Sequence, residues 1–363
     1  MLRARAPRPA RVPAASSRCS SASRRRPDVN GAAAVGVLGA GAFGTALAIQ
    51  LSRRGAACWL WARDAAAAAT LQASRDNPLH LHGCRLPDGV TVSADLPQVV
   101  AGSADLLIAA PSPALRGLCR QLQPLVRPGQ GIACGSKGLE PGSGLLAHQV
   151  IGQELGEGRA VAVVSGPTFA RELAAGLPTA VTVASNDPAF AARLAQALHG
   201  DGFRAYTSGD LVGVEIGGAA KNVLAIAVGI ADGLGLGANT RAALITRGLG
   251  EIARLAAALG AQPETLMGLS GLGDVVLTCT DDHSRNRRFG LALGQGKTAA
   301  QALASIEGVV EGVKAAPEVV RLARQRSVRM PLHEMAVAVL SGTVTPVEAM
   351  KQLSERPLRA EQG

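Results

Sequence analysis

Over its first two hundred residues the chain alternates short apolar runs with helix-length stretches. AAVGVL (Ala33–Leu38) is a buried-strand pattern, and the helix-forming run TALAIQLSRR follows it after a glycine-rich break. Further runs predict strands at Ala57–Trp61, Ala104–Ala110, Gly131–Ser136 and Val161–Val164, with two more at Thr179–Ala184 and Phe203–Tyr206. Strands alternating with helices imply a mainly parallel sheet, with ligands held outside the carboxyl ends of the strands. After Ser208 the strand signals stop. Helical patterns follow: Asn239-Thr240 would cap a helix running to about Leu259, and further pieces lie near 263–268, 284–293, 313–325, 332–340 and 346–354. The pattern divides the chain into an extension at 1–30, an α/β domain at 31–208 and an all-α domain at 209–355.

The longest apolar stretch opens the helical part. VGVEIGGAAKNVLAIAVGIADGLGLG (Val212–Gly237) is rich in small and branched residues, can be capped by Asp210, and contains Lys221. Lysine is almost never fully buried without a reason. Desolvation destabilises the ammonium, so such a lysine becomes a usable proton acceptor near neutral pH. The plainer reading is a core helix whose lysine snorkels to the surface. Gly213 and Gly217, four apart, allow another backbone to approach closely. A membrane span is not expected, because Glu215, Lys221 and Asp232 interrupt the run and leave no clean piece near the ~20 residues needed.

Three other features carry chemistry. Gly39, Gly41 and Gly44 have G-x-G-x-x-G spacing between a strand and a helix, where the pattern is much more specific than alone. The first glycine permits the turn, the second admits a pyrophosphate, and the third packs helix on strand. The phosphates then meet the free N–H groups of a helix N-terminus. This predicts a Rossmann-like dinucleotide site. The second strand ends at Arg63-Asp64; the acid suits ribose hydroxyls and the arginine a 2′-phosphate, which favours NADP with NAD as the alternative. Lys137 and Thr168 both follow strand ends. Asp274 sits among apolar residues. Ser284-Arg285-Asn286-Arg287-Arg288 reads either as a solvated face or as a phosphate clamp.

Composition narrows the classes. The net charge is +10, but residues 1–28 hold eight arginines and one acid, and removing them leaves +3. The body therefore gives no strong electrostatic case for nucleic acid, and 2% aromatic residues rule against a base-stacking platform. Residues 1–30 are rich in Arg, Ala, Pro and Ser and cannot bury a core, so they are expected to be disordered. They resemble an organellar transit peptide, although an extension of no targeting value fits as well, and there is no apolar stretch for a secretory signal. The expected location is the cytoplasm, with an organelle as alternative. Cysteines 19, 58, 84, 119, 134 and 279 show no metal spacing and read as reduced thiols. His80-x-His82-x-Cys84 lacks a fourth ligand and reads as a surface loop, so no metal is expected.

The motifs GAGAFGTALA, LWAR, SKGLE, SGPTFA, GGAAKNVLAI, ITRG, GLGDVVLTCT, SRNRRFG and VVEG, in this order from Val35 to about Glu348, resemble the NAD(P)-dependent glycerol-3-phosphate dehydrogenases of bacterial type. The resemblance implies a Rossmann-like N-terminal domain followed by an all-α C-terminal domain, an arrangement of the 6-phosphogluconate-dehydrogenase kind. It implies interconversion of glycerol 3-phosphate and dihydroxyacetone phosphate, which supplies glycerol 3-phosphate for phospholipid synthesis. By motif position, Lys221 resembles the proton acceptor. Ala42, Phe43, Arg63, Ala170, Val309 and Glu311 match cofactor positions, and Lys137 a position shared by cofactor and substrate. Gly166, Thr168, Asp274, Ser284, Arg285 and Asn286 match substrate positions, with Arg285 also near the cofactor. A hydroxyl residue is common where this chain has Ala42; the backbone N–H remains, so little damage is expected. The expected partners are the small substrate alone, with no nucleic acid and no stable membrane insertion, and room is left for a homodimer. A sister dehydrogenase acting on a hydroxy carboxylate would share the fold without needing SRNRR. A silent NADP sensor would not need Lys137, Lys221 and Asp274 together.

Overall fold

The computed structural model describes residues 35–53 and 55–357. The extension expected at 1–30, and Ala33 and Ala34 of the first expected strand, lie outside them. Eight strands form one sheet: β1 Val35–Leu38, β2 Cys58–Trp61, β3 Val90–Ser93, β4 Asp105–Ile108, β5 Ile132–Cys134, β6 Val161–Ser165, β7 Thr179–Ser185 and β8 Phe203–Ser208. Their order is β3-β2-β1-β4-β5-β6-β7-β8. All neighbours are parallel except β6 and β7, which run antiparallel. The first six follow the 3-2-1-4-5-6 order of a Rossmann-type sheet. β1 lies between β2 and β4, with Val35 opposite both Cys58 and Asp105.

The central strands are buried on both faces, which is why they read as unbroken apolar runs. Helices Ala42–Arg53, Ala65–Ser74 and Pro188–Leu198 bury one core with the sheet. Leu96–Ala101, Leu115–Leu122 and Ala147–Leu155 bury the other. β3 is an edge strand that the apolar pattern did not predict: VTVS alternates buried and more open positions and has one neighbour.

Beyond Ser208 the described chain is helical. The helix Leu211–Gly233, hereafter the central helix, starts as expected: Asp210 Oδ1 accepts from Gly213 N at 2.8 Å. The next helix, Gly237–Ala258, begins earlier than predicted. Asn239-Thr240 does not cap it; Thr240 Oγ1 lies inside the first turn and donates back to Leu236 O at 3.0 Å.

The central helix has a mean hydropathy of 1.6 over an 18-residue window, so its length and composition alone would allow it to cross a membrane, charges included. Interruption by charge was therefore the wrong reason to exclude a span. What makes it a core helix is that 89% of that window is buried within the protein. Val214 packs on Val163 and Ala184 of the sheet. A Cβ on Gly217 would come within 2.5 Å of Ser270 O, which is the close backbone approach expected there. At Gly213 the close neighbours are instead the Asp210 and Thr265 side chains. The tightest crossing is with helix Arg285–Gly294. There Gly229 and Gly233 face that helix, while Gly290 and Gly294 face the central helix, and any added Cβ would lie 2.1–2.3 Å from a backbone carbonyl oxygen.

Candidate active site

Lys221 lies in the third turn of the central helix and is 6% exposed. It does not snorkel. Its Nζ donates to Asp274 Oδ1 and, at 3.0 Å, to Thr278 Oγ1. Asp274 opens the helix Asp274–Thr280, directly after a π-helical turn at Leu269–Gly273. An acid in a first helical turn is favoured by the dipole, and Thr278 follows four residues later on the same face. Single π turns frequently occur at functional sites; here the turn is packed against Gly217 and delivers Asp274 to the lysine.

Lys137 arrives from the sheet side, on the loop after β5. Its Nζ donates to Asp274 Oδ2 at 2.9 Å and to Gly166 O, in the loop after β6, also at 2.9 Å. One buried carboxylate thus bridges two ammonium groups. Burial pushes the pKa of Lys221 down to about 8; Asp274 pulls it up, and repulsion from Lys137 adds to the lowering. Burial would raise Asp274, but Lys137 and Lys221 outweigh it and hold the carboxyl below its ordinary value.

The cluster forms the floor of a cleft between sheet and helices. Ala42, Phe43, Lys137, Thr168, Ala170, Lys221, Asp274, Ser284, Arg285, Asn286, Val309 and Glu311, all singled out from sequence, line it. Ser284 caps helix Arg285–Gly294, its hydroxyl accepting from Arg287 N. Arg285 is exposed, beside Gly308, where a Cβ would come within 2.6 Å of the guanidinium. Asn286 is already occupied: its Nδ2 donates to Asn222 Oδ1 and its Oδ1 accepts from Gly312 N, both at 2.9 Å. One amide N–H is left for a ligand. Burial raises the pKa of Glu311, against the pull of Arg285, Lys221 and Lys137.

Gly39, Gly41, Gly44, Arg63 and Gly166 do not line the cleft. Gly166 contributes its carbonyl to Lys137 and has a φ of +148°. The three glycines of the first turn behave as their spacing predicts. Gly39 has a φ of +125°, Gly41 faces open space, and a Cβ on Gly44 would lie 1.9 Å from Gly39 O. The first turn of the helix at Ala42 leaves N–H groups without intrahelical partners. A turn with open space at Gly41 in front of free N–H groups fits a dinucleotide pyrophosphate. Arg63 is exposed at the end of β2. Asp64 caps the helix that follows, its Oδ1 accepting from Ala67 N at 2.7 Å.

Sequence reading overlooked Asn222, Thr278, Gly135, Phe169, Leu277 and His283, which also line the cleft. Thr278 was readable in principle, one turn beyond Asp274, and Asn222 is the neighbour of Lys221. Phe169 and His283 meet only through folding, their rings 5.6 Å apart. Among the described residues no group of three His, Cys, Asp or Glu is placed to hold a metal, and the five described cysteines are free.

Comparison with known proteins agrees with this geometry. The family models described as the N-terminus and C-terminus of NAD-dependent glycerol-3-phosphate dehydrogenase match residues 34–191 and 210–351. A curated glycerol-3-phosphate dehydrogenase [NAD(P)+] of Halorhodospira halophila is 54% identical over 330 residues, covering 91% of this chain and 99% of that protein. One from Stenotrophomonas maltophilia is 52% identical over 327 residues, covering 90% and 96%. A crystal structure of glycerol-3-phosphate dehydrogenase from Coxiella burnetii superposes with a TM-score of 0.86 at 44% identity, covering 90% of this chain and 99% of that one. With both models matched and relatives more than half identical over nearly their full length, the chain belongs to the NAD-dependent glycerol-3-phosphate dehydrogenase family.

Proposed function

We propose that the protein interconverts sn-glycerol 3-phosphate and dihydroxyacetone phosphate with NADP, or alternatively NAD. The observation that carries this is the buried Lys137–Asp274–Lys221 cluster at the floor of a cleft edged by Phe43 and Arg285. Residues 31–208 serve as the cofactor-binding domain and 209–355 as the substrate domain, in step with the ranges of the two family models. Gly39, Gly41 and Gly44, with the N–H groups at Ala42 and Phe43, hold the pyrophosphate. Ala170, Val309 and Glu311 complete the cofactor side, and Lys137 and Arg285 reach both ligands. The nicotinamide, when bound, supplies or accepts the hydride at C2.

The protein handles the proton. In the oxidising direction neutral Lys221 takes the proton of the C2 hydroxyl; in the reducing direction its ammonium form donates to the developing alkoxide. Asp274 aims Lys221, and Lys137 keeps it from holding its proton too firmly. Thr168, Asp274 and Ser284 border the substrate, Gly166 acts from behind through its carbonyl on Lys137, and Arg285 with the free N–H of Asn286 holds the phosphoryl group. That remote group contributes binding energy that fixes the reacting carbon. The glycerol 3-phosphate formed would supply phospholipid synthesis, and free cysteines suit a reducing compartment such as the cytoplasm.

The test is reduction of dihydroxyacetone phosphate with NADPH and NADH in parallel. No turnover with either sinks the assignment. Arg63→Ala refines it. With Asp64 committed to its cap, Arg63 is left to meet the 2′-phosphate. A charge-assisted bond of about 1.5–3 kcal/mol then sets the result: the KM for NADPH rises roughly ten- to a hundredfold and that for NADH hardly moves. Equal losses with both cofactors would mean that Arg63 only packs on the adenine.

A further inference from the structure

Three arginines crowd the first turn of helix Arg285–Gly294, an end where the helix dipole disfavours positive charge. They do different things. Arg285 is exposed at the cleft and Arg288 is exposed on the surface. The side chain of Arg287 is only 9% exposed, and each of its three guanidinium nitrogens is engaged. Nε and Nη2 donate to Asp232 Oδ2 at 3.0 and 2.7 Å, and Nη1 donates to Asp282. The side chain of Asp232 is 5% exposed, and its other oxygen accepts from Arg241 Nε at 2.8 Å. Asp232 lies in the last turn of the central helix, where the dipole disfavours an acid. Each partner sits at a helix end that suits its charge poorly, and each compensates the other.

Stability is a weak reason for such a pair, since buried ion pairs are often no better than apolar replacements. Position is a stronger one. Asp232 follows Lys221 by eleven residues, about three helical turns, so both leave nearly the same face of one rigid element about 16 Å apart. Gly229 holds the Arg287 carbonyl so closely that a Cβ there would lie 2.2 Å from it. The helix that carries Arg285 can therefore neither retreat from the central helix nor turn freely on it.

We infer that the Asp232–Arg287 pair, backed by Arg241, is a positioning device. It fixes where Arg285 presents its guanidinium, and hence the distance between the phosphoryl group of the substrate and the proton carried by Lys221. This rests on the reading above that Arg285 holds that group.

The experiment uses the full chain with Arg287→Met, Arg287→Lys and Asp232→Asn, and Arg285→Ala as reference. For dihydroxyacetone phosphate, KM rises roughly ten- to a hundredfold in the Met and Asn variants, the size of effect a misplacement of about 1 Å produces. Arg287→Lys, which keeps the charge but loses the planar fork, falls between these and the wild type. Slow turnover of unphosphorylated dihydroxyacetone, which has nothing for Arg285 to grip, stays put, and the KM for NADPH shifts no further than it does in Arg285→Ala. If Arg287→Met loses its helical circular dichroism, Asp232→Asn, nearly isosteric, carries the same expectation. Equal losses on both substrates, or an NADPH constant that moves further than in Arg285→Ala, would reduce the pair to a structural tie and overturn the inference. An unchanged phosphate-substrate KM in the Arg287 and Asp232 variants overturns it too. In that case a raised KM in Arg285→Ala leaves the phosphate assignment standing, and an unchanged one removes that as well.

Discussion

Lys221→Met should yield a folded protein that binds NADPH normally and turns over ~10²- to 10⁴-fold more slowly, the usual cost of losing a general acid–base group. Methionine is close to lysine in length and brings no charge to a position that is only 6% exposed. Asp274 keeps Lys137 as its partner, so the carboxylate is not left alone. The pH dependence makes the test specific. Burial sets the pKa of Lys221 to about 8. The oxidising direction needs the neutral amine, so its kcat/KM climbs as pH rises through about 8. The reducing direction needs the ammonium and declines above the same point. Both limbs should vanish in the Met variant while its weak residual rate persists. Near-normal turnover, or a limb still standing near pH 8 in folded Lys221→Met, would remove this lysine from the mechanism.

How far the sequence disclosed this site depends on what kind of information each part needs. Lys221 was legible because a charge inside an apolar helix is anomalous on its face. The glycine turn was legible because its spacing encodes backbone geometry, and Gly39 and Gly44 adopt it. Most strands were legible because a sheet covered on both faces demands unbroken apolar runs; β3, at an open edge, had no such demand and was missed. What local pattern does not carry is partnership. Lys137 and Asp274 are separated by 137 positions and Lys221 and Asp274 by 53; only the sheet order and the packing of the central helix bring them onto one carboxylate. The SRNRR segment shows the same limit. Its arginines are equivalent as letters, and Asp232, fifty-five positions from Arg287, decides which of them turns away from the cleft. The antiparallel turn between β6 and β7 was equally silent, since strand direction is set by the connection and not by the residues of the strand.

Asp274→Asn should do more damage than its single atom change suggests, and in two separable ways. The carboxylate is 1% exposed and is the one anion between two ammonium groups, themselves 13% and 7% exposed. Removing one partner of a buried pair leaves uncompensated charge and costs about 3–5 kcal/mol, which thermal melting at neutral pH should register as a clear loss of stability. The sign follows from the pKa. Because the folded value lies below the ordinary one, the carboxylate contributes stability above the unfolded pKa and loses it as pH falls through the folded one. Wild type and variant should therefore converge in acid. The second effect is on Lys221. Asp274 is the main influence raising its pKa, while burial and Lys137 lower it; with asparagine in place only the weaker pull of Glu311 still opposes the lowering influences. The oxidation limb should move below pH 8, and Lys221, no longer aimed, should lose roughly 10²-fold in turnover, as misplaced catalytic groups do. A variant as stable as wild type, with its limb still at about 8, would mean that Asp274 neither compensates the lysines nor tunes the base. Burial, with Lys137 beside it, would then remain as what sets the proton affinity of Lys221.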